Sequence, residues 1–504
     1  MPLTATVLTT ARTHPNRTAI ADTETSLSYG ELVAESPGIY HATQTLLDQQ
    51  SSPVASAPEA AGLPIIAVSL DSAYAAARIV AALAGYGVVV AVIDPRWPLE
   101  HRIRVIQQCG ITLVISNDTV LAGGLATHGY RGTVVSENDF RMLENTGGTP
   151  HPAPTVRSDE EPFLLLFSSG TTSAPKAFIK TRGQYRENFA VSSAHLEPFD
   201  GVATLAPGPL SYSLTLYALI ECLASGGSAH LMDAFSATDV AERIRNAAIT
   251  RIVAVPAVVQ TLIDAARRDA SFIDHLELVV TGGANLPASL RSGLTAAAPH
   301  TRLISYYGAA EIGFIGDSRD GDGTWISVYD DIDAEVRDSN GRRLADGEWG
   351  TLWIRAAACS DGYIATTSSE RLRDDDGWAT VHDQARRVGS RIQLVGRAGD
   401  IAITGGHKVS LAEVEQAFDG FSSAQAVCAV ALPHTSLGSV VALVVEGSAP
   451  VPKTALQEWA RARLAPQFVP TRWYMLDALP RTVGGKVRRS ATRDAVLRGD
   501  AVRL

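Results

Sequence analysis

Short apolar runs alternate with longer stretches of helical period, and this alternation restricts the fold more than any other feature of the chain. Ile65 to Ser69 reads as a strand, Ser72 to Ala84 as a buried helix, and Val88 to Ile93 as the next strand. Strand, helix, strand is the order of a parallel sheet, and Ile111 to Ser116 repeats it. Further on, strands are expected at Ala203 to Pro207, Ala229 to Met232, Arg251 to Val255 and Leu276 to Val280. Helices are expected between and around them at Arg186 to His195, Thr215 to Leu223, Ala241 to Ala248 and Val258 to Arg268. This is the rhythm of a doubly wound α/β fold, in which ligands bind beyond the carboxyl ends of the strands. Upstream, Ala19 to Glu31 reads as two short strands and a helix start, with Ser28 and Glu31 spaced as a capping box.

From about Thr324 the pattern changes to short alternating strands, Asp333 to Arg337 and Thr351 to Ile354, with turns at Asn340-Gly341 and Asp346-Gly347. A β-rich subdomain over about 324–397 is expected. After it a small α+β unit fits, with helices at Leu411 to Ala417 and Lys453 to Leu464 and strands at Ala426 to Leu432 and Val440 to Val445. A chain of 504 residues exceeds one ordinary core, so a large domain over 1–397 and a smaller one over 398–504 are expected. With 46% hydrophobic and 19% charged residues the composition is globular, and a net charge of −10 argues against bulk nucleic-acid binding.

The four cysteines, Cys109, Cys222, Cys359 and Cys428, are far apart and follow no metal or disulfide spacing. They read as small buried side chains in a reducing, cytoplasmic setting. The amino-terminal segment has no charged start and no apolar core of a signal peptide. The longest apolar stretch, Ile79 to Ile93, is broken by Gly85 and Gly87 and is too short to span a membrane. Ser51 to Gly62 reads as a surface loop.

One loop concentrates the chemistry. After the apolar run Phe163 to Phe167 come Ser168, Ser169, Gly170, Thr171, Thr172 and Ser173, then Pro175 and Lys176, then a second apolar run, Ala177 to Ile179. Hydroxyls and backbone N–H groups around a glycine can wrap an anion, and a lysine adds a point charge. The common nucleoside-triphosphate loop is different, since it sets Lys-Ser/Thr directly after its second glycine. Taken alone, the stretch is equally a Ser/Thr-rich surface turn.

Downstream segments resolve that ambiguity. Gly282-Gly283-Ala284 closes a strand; Ser305-Tyr306-Tyr307-Gly308-Ala309-Ala310-Glu311 is read as following another, where a carboxylate suits a cation or a ribose. Then come Thr380-Val381-His382-Asp383, Gly396-Arg397-Ala398-Gly399-Asp400, and Leu479-Pro480-Arg481-Thr482-Val483-Gly484-Gly485-Lys486. In this order and spacing they resemble the motifs of the adenylate-forming superfamily: acyl- and aryl-CoA synthetases, adenylation domains of nonribosomal peptide synthetases, and luciferases. The loop is similar to that family's Ser/Thr-Ser-Gly-Thr-Thr-Gly-x-Pro-Lys-Gly, with Ser173 and Ala177 in place of glycines. Ala310 replaces a usual threonine, His382 a usual glycine, and Gly399 the usual Asp or Lys of the hinge.

The resemblance implies ATP and Mg2+ as cofactors and a small mobile carboxyl-terminal domain turning about Gly399. It implies catalytic roles for Lys486, Glu311 and Lys176, with Glu311 as the metal ligand. Nucleotide contacts are implied for Ser168, Ser169, Gly170, Thr171, Thr172, Gly283, Ala284, Tyr307, Gly308, Asp383 and Arg397. Substrate contacts are implied for Tyr212, Ser213, Gly282 and Tyr306. The implied reaction is adenylation of a small-molecule acid with release of pyrophosphate, then transfer to a nucleophile. Ser213 stands where amino-acid-activating members place an aspartate, so an aryl or acyl carboxylate is expected, with the thiol of CoA as acceptor. Gly406 matches a glycine lining the thiol's approach, a feature that permits this chemistry. A carrier-protein pantetheine, an amine acceptor, activation of nitrite for diazotisation of an aryl amine, and a degenerate nucleotide-binding relative are the alternatives.

Overall fold

The computed structural model describes residues 2–504 apart from 52–53, 147–150, 169–175, 234–235, 283–285, 287, 320–324, 398–399, 405–406, 422–423, 435–437, 449–450, 465–467 and 483–484. One sheet has six strands in the order Thr133–Val135, Leu113–Ser116, Ile65–Ser69, Val89–Val92, Pro162–Phe167 and Ala177–Thr181. Its pairings are parallel except the last, where Pro162–Phe167 and Ala177–Thr181 run antiparallel. Ile65–Ser69 and Val89–Val92 are buried at every position, as expected for parallel strands covered on both faces. The helix between them, Ala73–Leu83, starts at Ser72, whose Oγ accepts from Ala75 N at 3.2 Å.

The second sheet has thirteen strands. Its parallel part runs Thr18–Ala21, Ser228–Leu231, Ala203–Ala206, Arg251–Ala254, Leu278–Thr281, Arg302–Ala309, with Ser26–Ser28 on the outer edge. The strands expected as a β-rich subdomain do not form a sheet of their own. Arg302–Ala309 turns back through Ile312 and Gly313 (φ 110°) and pairs antiparallel with Gly313–Ser318. That new edge is extended by Trp325–Val328, Arg391–Arg397, Asp383–Val388, Trp349–Arg355 and Asp333–Arg337. The segment Ser305 to Ala309 therefore lies inside a strand, where the sequence had suggested a strand end, and Glu311 comes just beyond it.

The third sheet belongs to the carboxyl-terminal part. It joins His407–Ser410, Ile401–Thr404, Gly438–Glu446, Arg472–Leu476 and Val502–Arg503, with Ala426–His434 paired to Gly438–Glu446. Its apolar side chains form clusters of their own, among them Val414, Phe418, Leu443 and Trp473. The largest cluster of the amino-terminal part runs from Leu3 to Ile392 without including them. The two parts touch where Asp419 Oδ2 accepts from Ser289 N at 3.0 Å and Asp419 Oδ1 from Ser289 Oγ. Ser289 lies in the first turn of the helix Ala288–Ala297.

The four cysteines are buried and free of disulfides. Among the described residues no helix is long and apolar enough to cross a membrane. The expected surface loop at Ser51 to Gly62 is partly ordered inward: Pro58–Ala60 is a short 3-10 turn, and Ala57 and Ala60 pack beside Ile65.

Candidate active site

The Ser/Thr loop joins the two strands of the antiparallel hairpin, and its mouth is closed by main-chain bonding. Ser168 N donates to Lys176 O at 2.8 Å, and Lys176 N donates to Ser168 Oγ at 3.2 Å. Ser169, Gly170, Thr171 and Thr172 lie outside the described residues, as do Gly283, Ala284 and Gly399. A neighbouring segment is fastened to the hairpin: Ile364 N donates to Ala177 O at 2.7 Å, and Ala177 N to Thr367 Oγ1 at 3.1 Å.

This fastening sets one row of side chains. Glu311 is buried, and its Oε1 accepts from Tyr363 Oη at 3.2 Å. Lys176 Nζ stands over the Tyr363 ring, 5.2 Å from its centre, and lies 2.5 Å from Glu370 Oε2. The same Glu370 oxygen is 3.8 Å from His382 Nε2. Next to His382, Asp383 Oδ2 accepts from Tyr307 Oη at 2.6 Å. Glu311, Lys176, Tyr307 and Asp383, chosen from distant motifs, thus fall on one arc. Gly308 is needed for close strand approach, since a β-carbon there would lie 2.6 Å from Gly313 O.

His382 has φ of 63°, a left-handed conformation that side chains other than glycine rarely adopt. The backbone thus keeps the shape that suits the family's glycine while carrying an imidazole. His382 N donates to Thr380 Oγ1 at 3.0 Å, which helps hold that shape.

The expected acid-binding residues fall into two groups, Tyr212 with Ser213, and Gly282 with Tyr306. Tyr212 precedes the helix Ser213–Ser225, with Ser213 exposed at its start. Burial pushes the Tyr212 hydroxyl up to about 12, helped by Asp94 and opposed by Arg96. Asp94 is fully buried; it accepts from Ser211 Oγ at 3.0 Å and from Arg96 Nη2 at 2.8 Å. Gly282 lies flat against Tyr306: a β-carbon there would meet the ring at 2.4 Å. Tyr306 meets Phe314 edge to face, as does Tyr217, each at 4.8 Å between ring centres. Gly282 is therefore backed by a wall of aromatic rings.

Arg397 is the cross-strand partner of Asp383. Lys486 is exposed on a turn in which Thr482 N donates to Lys486 O at 2.7 Å and Lys486 N to Thr482 Oγ1 at 3.2 Å. Three residues that sequence reasoning passed over belong to the arrangement. Tyr363 and Glu370 are polar members of a Ser/Thr-rich stretch with no motif that ties them to Lys176. Lys180 carried a signal, a lysine directly after the apolar Phe178-Ile179. It is buried, donates from Nζ to Ala358 O at 2.9 Å, and burial lowers its ammonium to about 8. Cys359 and Glu311 oppose that shift.

The family that its sequence matches and its acyl-CoA ligase relatives make the chain an AMP-forming ligase by class. It belongs to the AMP-binding enzyme family: the family's main domain matches residues 7–364, and the AMP-binding enzyme C-terminal domain matches 413–486. An uncharacterized acyl-CoA ligase of Bacillus subtilis, YhfT, is 27% identical over 503 residues, covering 98% of either chain. The fold is that of ATP-bound MatB from Rhodopseudomonas palustris, with a TM-score of 0.83 at 21% identity, covering 96% of this chain and 98% of that one. It is also that of the o-succinylbenzoate CoA synthetase MenE from B. subtilis in complex with ATP and magnesium ion. There the TM-score is 0.82 at 18% identity, covering 97% of this chain and 99% of the other.

Proposed function

We propose that the protein adenylates an aryl or acyl carboxylic acid with ATP and passes the acyl group to the thiol of CoA. In the first half, an acid oxygen attacks the α-phosphorus, the bond between the α- and β-phosphates breaks, and pyrophosphate leaves. In the second, the thiol sulfur attacks the acyl carbon, the bond to the adenylate oxygen breaks, AMP leaves and the thiol proton goes to solvent. The observation that carries this reading is the arc from Glu311 through Tyr363 and Lys176 to His382, Asp383 and Tyr307, at the ends of the strands Pro162–Phe167 and Arg302–Ala309.

On this reading Asp383 accepts from the ribose hydroxyls and Tyr307 stacks on the adenine. Ser168, the hydroxyl loop and Lys176 steady the β- and γ-phosphates. Lys486 neutralises the charge that grows on the α-phosphate in the transition state. Glu311 fits a cation: its carboxylate is buried, accepts from Tyr363 Oη, and already acts on the buried ammonium of Lys180 without pairing to it directly among the described residues. Mg2+ held there with the phosphate oxygens would offset the charge of the leaving group. Tyr212, Ser213, Gly282 and Tyr306 line the acid's side. Ser213 stands at the position where amino-acid-activating relatives carry an aspartate, which supports an acid without an α-amino group. On this reading residues 1–397 hold the nucleotide and acid and 398–504 bring Lys486 to them, a division that the separate apolar clusters on either side support.

Pyrophosphate release with Mg·ATP across aryl acids, fatty acids, amino acids and nitrite tests this reading. Each acid is run alone, with CoA and with an aryl amine, and Lys486→Ala serves as control. Release with an aryl or fatty acid, increased by CoA and reduced by about two orders of magnitude or more in the variant, is expected. Release only with nitrite or only with the amine refutes the thiol assignment. Silence with every acid refutes the reading for free acids and CoA.

A further inference from the structure

Lys176 is engaged by a group that competes with its proposed task. Its ammonium lies 2.5 Å from Glu370 Oε2, in a pair whose side chains are 22% and 47% exposed. Glu370 is kept in reach by short connections. Ile364 N and Thr367 Oγ1 are bonded to the two main-chain groups of Ala177, the residue after Lys176. Glu370 N donates to Ser368 Oγ at 3.1 Å, which shapes the last step. On its other side, the same Glu370 oxygen faces the imidazole of His382 at 3.8 Å. His382 is presented there from a left-handed backbone (φ 63°), a conformation that costs a side chain more than it would cost glycine. A strained backbone residue beside a nucleotide site calls for a compensating use.

Resting on the reading of Lys176 as a phosphate ligand, we propose that Glu370 is a positioning residue that parks Lys176 away from the phosphates when no polyphosphate is bound, with His382 as the alternative partner for its carboxylate. An ammonium paired with one carboxylate has that N–H donor engaged and part of its charge offset, so it binds the β- and γ-phosphates less strongly than an unpaired one. Mg·ATP draws Lys176 across, and Glu370 turns toward His382. Once the bond between the α- and β-phosphates has broken, Glu370 competes again for the ammonium and weakens the hold on pyrophosphate. AMP carries neither of the phosphates in question, so its affinity is outside this exchange. The selectivity is for polyphosphate, and it is set by a residue that touches no part of the nucleotide.

The test is binding, followed by calorimetry on the full chain with inorganic pyrophosphate, ATP and AMP, each with Mg2+. Glu370→Gln keeps the shape and removes the charge, and both side chains are exposed enough for the fold to tolerate it. Glu370→Gln should bind pyrophosphate and ATP about fivefold more tightly, the scale of one partly exposed ion pair, with AMP affinity unchanged. The gain should vanish when Glu370→Gln is made in a Lys176→Ala background, because it passes through that lysine. A gain that persists without Lys176 reflects the lost negative charge alone and overturns the proposal. Equal or weaker pyrophosphate binding by Glu370→Gln overturns it as well. If the wild-type chain binds AMP normally and only these differences are absent, the positioning role falls and adenylation stands. If it binds neither ATP nor AMP, the functional reading itself falls.

Discussion

Lys180 shows what a single residue can cost. The residue is 3% exposed, its ammonium is bonded to one carbonyl at 2.9 Å, and burial brings its pKa down to about 8. In the unfolded chain the same group titrates near 10.4. The unfolded state therefore binds more protons between about pH 8 and pH 10.4, and the contribution of this residue to stability rises across that window. Below pH 8 the burial penalty is present in full. Lys180→Met, of similar volume, should raise unfolding stability by about 2 kcal/mol near pH 7, after the lost hydrogen bond is counted. The advantage should shrink near pH 10, and urea unfolding at the two pH values measures both effects. At this scale the sequence was informative where a residue type sits in a motif, as with Lys176, Glu311, Tyr307 and Asp383. It was silent on Glu370, whose partner lies 194 positions away. Only the docking of Ile364 and Thr367 on the hairpin brings the two together.

Among the elements, the helix Ala288–Ala297 has an unusual start. The first N–H groups of a helix have no acceptor within it. Here the one on Ser289 is taken by Asp419, which is 130 positions later and belongs to the other part of the molecule. Asp419→Ala should weaken this helix start by roughly 0.5–1 kcal/mol. It should speed hydrogen exchange of the amides after Ser289 while leaving the helix Ala73–Leu83 unchanged, as read by mass spectrometry. Local signals did identify some elements. The capping box at Ser28 and Glu31 is present, with Ser28 N donating to Glu31 Oε2 at 2.8 Å. The extent of that helix was not legible, since it runs from Tyr29 to Asp48 through Pro37, a residue that normally ends one. The helix Thr119–Thr127 was missed for a related reason, its paired glycines. A β-carbon on Gly124 would lie 2.8 Å from Ile103 Cδ1, so the glycine serves the contact with the helix Leu99–Gln108.

For the whole molecule, the alternation of strands and helices foretold the doubly wound sheets, because burial on both faces leaves a local imprint. It did not foretell that Thr18–Ala21 pairs with Ser228–Leu231, or that the later strands continue the same sheet to thirteen. Such long-range pairings are chosen by packing among distant segments and leave no periodic trace. The separation of cores has a direct consequence. On the proposed reading, a fragment of residues 1–397 should unfold cooperatively and still bind AMP, yet release no pyrophosphate, because it lacks the lysine proposed to act on the α-phosphate, Lys486. Thermal unfolding followed by circular dichroism, together with AMP calorimetry and a pyrophosphate assay, checks each part.

The ladder position shared by Asp383 and Arg397 has a mechanical consequence. The strand that carries Arg397 out toward the small domain is clamped to the strand that begins with Asp383. A pull on that strand therefore reaches first the residue proposed to hold the sugar. The grip proposed for the sugar is thus built into the ladder itself, and a substitution that loosens the pairing of these two strands should weaken AMP binding.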